Sequence, residues 1–208
     1  MPRSGGKPRP LTTALSIGVL ALQGAYEAHA TMLRRLGANA VLVRKPEELA
    51  GLDGLIIPGG ESTTFLKHLE RAGFFDALSA FVCEKPAFGT CAGAILLAKD
   101  VANPTQRSLA AMDIAVERNF YGRQKDSVIL SGETTIPGGP LEMVYIRAPR
   151  IAHTGPAVET LARRGDDPAL VREGHLLAAT FHPELGHDLR IHQLFLDMVA
   201  ANSSKLTS

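Results

Sequence analysis

From residue 16 to residue 22 the chain reads SIGVLAL, an apolar run without polar alternation. A strand of that kind must be covered on both faces, the condition of a parallel sheet with helices on either side. A matching helix follows Gln23-Gly24. Over 25–36, residues Ala25, His29, Met32, Leu33 and Leu36 share one face, and Gly37 stops the pattern. The alternation then repeats. Residues 40–43 and 53–57 read as strands, the second broken by Pro58-Gly59-Gly60. Ser62 or Thr63 suits the cap of a helix reaching about residue 72. A further helix over 74–82 closes before Pro86, 86–90 reads as a strand ending at Cys91, and 92–98 as an apolar helix. Strands alternating with helices predict an α/β fold built of βαβ units on a mostly parallel sheet.

The second half changes character. Short strand candidates stand at 114–117, 128–130, 143–147, 158–162, 169–172 and 176–181, and a last helix at 188–201. No linker or internal repeat interrupts them. With 208 residues the chain suits one domain, burying roughly 70% of its unfolded surface. Residues 1–15 read as a disordered tail and 16–202 as the domain. The tail and the first strand together imitate a secretory signal: Arg3, Lys7 and Arg9, then a short apolar core, then Ala28-His29-Ala30. The strand reading is preferred, because the βαβ pattern begins there and the run is too short to span a bilayer as a helix.

Charge narrows the partners. The 22 Lys and Arg balance 21 Asp and Glu, which removes the usual electrostatic reason to expect nucleic acid or an anionic membrane. Two cysteines make no disulfide framework, so a cytoplasmic, reducing setting is expected. No His, Cys or carboxylate spacing matches a metal site, and no cofactor is expected. His29, His68, His153, His175, His187 and His192 therefore carry no assigned role, and Arg34-Arg35 and Arg163-Arg164 read as solvated faces.

The sharpest local signal is Gly89-Thr90-Cys91-Ala92-Gly93 between a strand and a helix. Small residues on both sides let the chain turn tightly enough to expose one side chain at the apex, the nucleophile-elbow arrangement with Cys for Ser. The turn aims the Ala92 N–H at a developing oxyanion, and the helix start favours negative charge on sulfur. An inert Cys in a packing turn is the competing reading for Cys91; Cys83, mid-helix beside Phe81 and Val82, reads as inert core or surface packing. A thiolate requires a base, and a base an orienting group. His182-Pro183-Glu184 follows the strand at 176–181; alternate residues on extended backbone point the same way, so the imidazole and carboxylate lie side by side. A solvated surface pair is the competing reading here. Gly59-Gly60 adds a turn where backbone approaches a ligand. Gln23, Gly59-Gly60, Cys91 and His182 all follow strands, and ligands of open parallel sheets gather outside the strands' carboxyl ends.

In this order the motifs resemble class I glutamine amidotransferases, whose triad is Cys-His-Glu. LALQGAYEAH at 20–29, PGGEST at 58–63, FGTCAG at 88–93, ERNFYGRQ at 117–124, IRAP at 146–149 and TFHPEL at 180–185 resemble the glutaminase subunits of pyridoxal 5′-phosphate synthases over about residues 16–200. The resemblance implies a three-layer fold with helices flanking the sheet, and 16–202 as a glutaminase domain. It makes Cys91 the nucleophile, His182 the general base and acid, Glu184 its orienting carboxylate, and Gly60 with Ala92 the oxyanion hole. It places L-glutamine against Gly60, Glu61, Ser62, Arg118, Ile146 and Arg147. Two guanidinium groups suit a substrate carboxylate, and Glu61 or backbone carbonyls its ammonium. The resemblance also puts Gln23 and Gly24 at the contact with a synthase subunit, in a large hetero-oligomer through which ammonia passes. The first 13 or so residues and the compressed stretch 101–112 depart from the family without touching a motif. The residues themselves leave three readings open: this glutaminase, an amidotransferase or amidase serving another reaction, and a non-catalytic module of the same shape.

Overall fold

The computed structural model describes residues 14–118, 120 and 128–206. In chain order the elements are β1 (Ser16–Leu20), α1 (Tyr26–Arg35), β2 (Asn39–Val43), β3 (Gly54–Ile57), α2 (Ser62–Arg71), α3 (Phe74–Glu84), β4 (Ala87–Thr90), α4 (Ala92–Leu97), β5 (Ala98–Ala102) and β6 (Met112–Glu117). There follow β7 (Val128–Gly132), β8 (Leu141–Tyr145), β9 (Arg150–Thr154), β10 (Glu159–Arg164), β11 (Asp167–Glu173), β12 (Leu176–Ala179) and α5 (Arg190–Leu206).

Seven strands form one sheet in the order β10-β11-β12-β4-β3-β1-β2. The five from β12 to β2 run parallel, and β11 and β10 extend the sheet antiparallel. Successive side chains of a strand point to opposite faces, and the apolar runs are apolar because both faces are covered. Leu55 and Ile57 of β3 pack toward Phe65, Leu69, Phe74 and Leu78 of α2 and α3. Ile56, between them, packs with Ala30 and Leu33 of α1 and Phe195 and Val199 of α5. The expected three-layer α/β fold is present. Strand order β2-β1-β3-β4 reverses direction between β1 and β3, and a sheet of this kind opens its ligand crevice at that switch.

Two smaller sheets, β5-β6-β9 and the hairpin β7-β8, decorate this frame. The sequence gives no sign of β5 or β9: their AKDVA and RIAHT segments lack strict alternation, and their ladders join residues far apart in the chain. The tail expected over 1–15 lies outside the described residues except for Ala14 and Leu15, and the Leu15 carbonyl accepts the Asn39 N–H. Two helix starts are set by carboxylates. Helix α2 is capped by Glu61 rather than Ser62 or Thr63, because a glutamate in extended backbone reaches two free N–H groups at once. Helix α5 begins at Arg190 because the Asp188 carboxylate accepts its N–H, and it continues past residue 201. Among the described residues no helix is long and apolar enough to cross a membrane, and no cluster of His, Cys, Asp and Glu suits a metal ion.

Candidate active site

The carboxyl ends of β1, β3, β4 and β12 lie on one edge of the sheet, and Gln23, Gly59-Gly60, Cys91 and His182 follow them. At the end of β4 the chain turns into α4 through Cys91, whose φ of 49° and ψ of −103° fall outside the regions open to an ordinary side chain. The surroundings hold it there. The Cys91 N–H donates to the Ala179 carbonyl at 2.8 Å, and the Cys91 carbonyl accepts the Ile95 N–H. Gly93 packs against the Ile57 carbonyl so closely that a β-carbon would strike it. Ala92 opens α4, where an N–H has no acceptor within the helix.

His182 is carried by the turn after β12, and its N–H donates to Val144 of β8 at 2.8 Å. Its Nδ1 lies 2.8 Å from Glu184 Oε1, and both residues are buried, 7% and 4% exposed. Gly59 lies against both side chains: a β-carbon on it would stand 2.5 Å from His182 Cε1 and 3.0 Å from Cys91 Cβ. The solvated surface pair is thus excluded for His182 and Glu184. Burial opposes a charge on His182, but its hydrogen bonds with Cys91 and Glu184, and their charges, push its pKa up to about 10. Burial likewise opposes a charge on Glu184, yet His29 and His182 hold its pKa below the ordinary value.

Opposite the sulfur, a cavity of about 420 Å³ is lined by Gly60, Glu61, Ser62, Cys91, Ile95, Arg118, Ile146, Arg147 and His182. Every residue expected to hold substrate is in that set. Arg118 reaches it from the end of β6 by laying its guanidinium on the start of α2: Nη2 donates to Ser62 Oγ and Thr63 Oγ1, each at 2.8 Å, and Nε donates to Ser62 Oγ at 3.1 Å. Arg147 is exposed on the loop after β8 and has a φ of 48°, a second strained backbone at the same cavity. Hydrogen bonding from the Thr64 side chain, and from the Thr63 and Thr64 N–H groups at 3.0 and 2.7 Å, outweighs slight burial and brings the pKa of Glu61 to about 2. Its first duty is therefore the helix cap. Of the ERNFYGRQ motif, Asn119 and residues 121–124 lie outside the described residues.

Gln23 steadies the Gly59–Glu61 turn, its Nε2 donating to the Glu61 carbonyl at 3.0 Å. Gly24 has a φ of 77° and comes so near the Gly59 carbonyl that no side chain fits. Cys83 is exposed and away from the cavity. Three residues without any role in the sequence reading stand directly behind the site: His29, Thr90 and His192, all buried. No spacing signals them, since His29 and His192 are 163 residues apart.

Comparison with known proteins agrees with this geometry. The family model described as the SNO glutamine amidotransferase family matches residues 19–201. The chain is 60% identical over 190 residues to the pyridoxal 5′-phosphate synthase subunit PdxT of Koribacter versatilis, covering 91% of this chain and 98% of that one. It is 50% identical over 186 residues to the subunit of the same name in Pseudothermotoga lettingae, with 88% and 95% covered. A crystal structure described as a glutamine amidotransferase superposes with a TM-score of 0.82 at 47% identity, covering 88% of this chain and 98% of the other.

Proposed function

Because the chain belongs to the SNO glutamine amidotransferase family, we propose that Cys91, His182 and Glu184 release ammonia from L-glutamine as nucleophile, acid–base and orienting carboxylate. The chain is the glutaminase subunit of a pyridoxal 5′-phosphate synthase; its 60% and 50% identical relatives are named as subunits of that synthase. The observation that carries the reading is one cavity holding a strained cysteine, a paired imidazole and an arginine fork together.

The substrate's α-carboxylate sits against Arg118 and Arg147, with Ser62 and the start of α2 beside them, since charge-assisted hydrogen bonds from a planar guanidinium suit a carboxylate. Ile146 packs on the methylenes, and Glu61 has acceptor capacity left for the α-ammonium after capping α2. The side-chain amide then reaches Cys91. His182 takes the thiol's proton as the sulfur attacks the amide carbon. The oxyanion forms against the N–H groups of Gly60 and Ala92, where each donor contributes on the order of 10²–10³ in rate. His182 protonates the departing nitrogen as the C–N bond breaks, giving ammonia and a glutamyl thioester. A water deprotonated by His182 cleaves the thioester, releasing glutamate and the thiol. Glu184 keeps the imidazole oriented through both steps.

The partner is the synthase subunit that consumes the ammonia, in a large hetero-oligomer, with Gln23 and Gly24 at the contact. Their hold on the Gly59–Glu61 turn supports this, because a partner pressing there acts on the oxyanion hole. A reducing cytoplasm suits a reaction that needs Cys91 as a free thiol. The test is glutamate release from glutamine by the chain with its synthase subunit. C91A is expected to lose on the order of 10⁴-fold or more in kcat while still binding the partner; equal activity overturns the assignment.

A further inference from the structure

His182 occupies one oxygen of Glu184. The other, Oε2, is buried with the whole side chain and accepts no well-aligned hydrogen bond among the described residues. The group facing it is His29 Nε2, 3.3 Å away. The same nitrogen lies 3.2 Å from Thr90 Oγ1, which accepts the Gly59 N–H at 3.1 Å. On its far side, His29 Nδ1 is 2.9 Å from Nε2 of His192 on α5. Both imidazoles are fully buried. One ring thus meets the carboxylate behind His182, the residue before the nucleophile and, through Thr90, the oxyanion turn. Packing alone does not require it: edge-on contact with Phe88, at 6.2 Å between centroids, is served equally by an apolar ring.

The proton positions follow by elimination. A lone pair on His29 Nε2 would repel the Glu184 anion, so that nitrogen carries the hydrogen and Nδ1 accepts from His192 Nε2–H. His192 Nδ1 then keeps a lone pair without a partner among the described residues. The reverse assignment would strand a buried N–H there, the costlier defect. Burial keeps both rings neutral. It lowers the His29 pKa against the pull of Glu184, and brings that of His192 to about 3. A neutral ring steadies the carboxylate without competing with His182 to be its cation.

We propose that His29, backed by His192, is a positioning residue for this reaction: its Nε2–H holds the Glu184 carboxylate that orients His182, and steadies Thr90 beneath the nucleophile turn. The proposal rests on the glutaminase reading above. Its test compares H29N with H29Q in the complex with the synthase subunit. Both side chains are polar and close in size, but the glutamine amide reaches the place of Nε2 and the asparagine amide only that of Nδ1. H29N is expected to lose roughly tenfold to a hundredfold in kcat, as for other orienting partners of site residues. Its KM for glutamine stays within about twofold, because no contact of the substrate is removed. H29Q recovers most of the loss. The pH profile of Cys91 alkylation by iodoacetamide, which needs no glutamine turnover, moves to higher pH in H29N and returns toward the parent in H29Q. Equal loss in both variants, or no loss in either, overturns the proposal. A parent that fails to hydrolyse glutamine overturns the glutaminase reading instead, and the alkylation profiles still decide on His29. Should H29N not fold, H192F removes the donor to His29 while keeping a ring, and a smaller kcat loss of the same sense is expected; unchanged kcat overturns the proposal.

Discussion

The two walls of the cavity are built by opposite means. On the side of the sulfur, Gly59 and Gly93 bring backbone against Cys91, His182 and the Ile57 carbonyl, with no room for a β-carbon. Cys91, His182 and Glu184 are all below 9% exposed there. On the other side, Arg118 and Arg147 reach in on long side chains, Ile146 is 40% exposed, and Glu61 stands in solvent. The first wall fixes atoms by backbone packing, where nothing can rotate aside. The second fixes them by side-chain hydrogen bonds, which can be remade. The proposed roles match this: chemistry that tolerates little displacement falls to the first, and binding of a flexible amino acid to the second.

The largest expected effect breaks the rigid wall. G93A adds one methyl group to a helix, worth about 1 kcal/mol of favourable propensity. It drives that methyl into the Ile57 carbonyl, which cannot turn away. Overpacking of about 3 kcal/mol prevails. Thermal melting should fall by roughly 4–8 °C, and glutaminase activity with it, because the Cys91 turn must shift. A stable, active G93A would mean the wall yields. Next comes R118A on the adaptable wall. Losing a charge-assisted contact of about 1.5–3 kcal/mol should raise KM for glutamine by roughly 10- to 150-fold. Steady-state kinetics should show kcat changed far less; the opposite pattern would put Arg118 in the chemistry and merge the two walls.

The smallest effect is E61Q, which keeps one of the cap's two acceptor oxygens and removes its charge. A cap is typically worth about 1 kcal/mol, less here because Glu61 is exposed. Its folded pKa of about 2 lies below the ordinary 4.5, so the charge stabilises the fold above pH 4.5 and is lost as pH falls toward 2. The melting difference between parent and E61Q should be constant above pH 4.5 and vanish near pH 2. A difference that persists there would give Glu61 a role beyond the cap.

Much of the rigid wall was legible beforehand. The unalternated run at β1, the small residues around Cys91 and the His182-Pro183-Glu184 triplet each depend on a few neighbouring residues. Local sterics and periodicity act over that range. The adaptable wall was legible mainly by resemblance, since Arg118 meets Ser62 across 56 residues. Glu61 was harder: its type suits an ammonium partner, and only the actual turn shows it capping α2. Strands β5 and β9 escaped because their patterns are weak and their pairings distant. Cys83 and Cys91 differ in place, one on an exposed helix face and one at a strained turn.

By itself, the sequence determined the α/β alternation, the tight small-residue turn around Cys91 and the placing of His182 and Glu184 side by side after a strand. Each is a short-range consequence of residue type. Tertiary structure alone decided what stands behind them. His29 on α1 and His192 on α5 are distant in the chain and unremarkable in spacing. They meet because both helices cover the same face of one sheet, where burial removes water and sets His29 against His192, Thr90 and Glu184. Proximity of that kind follows from how the layers close, which no local pattern encodes.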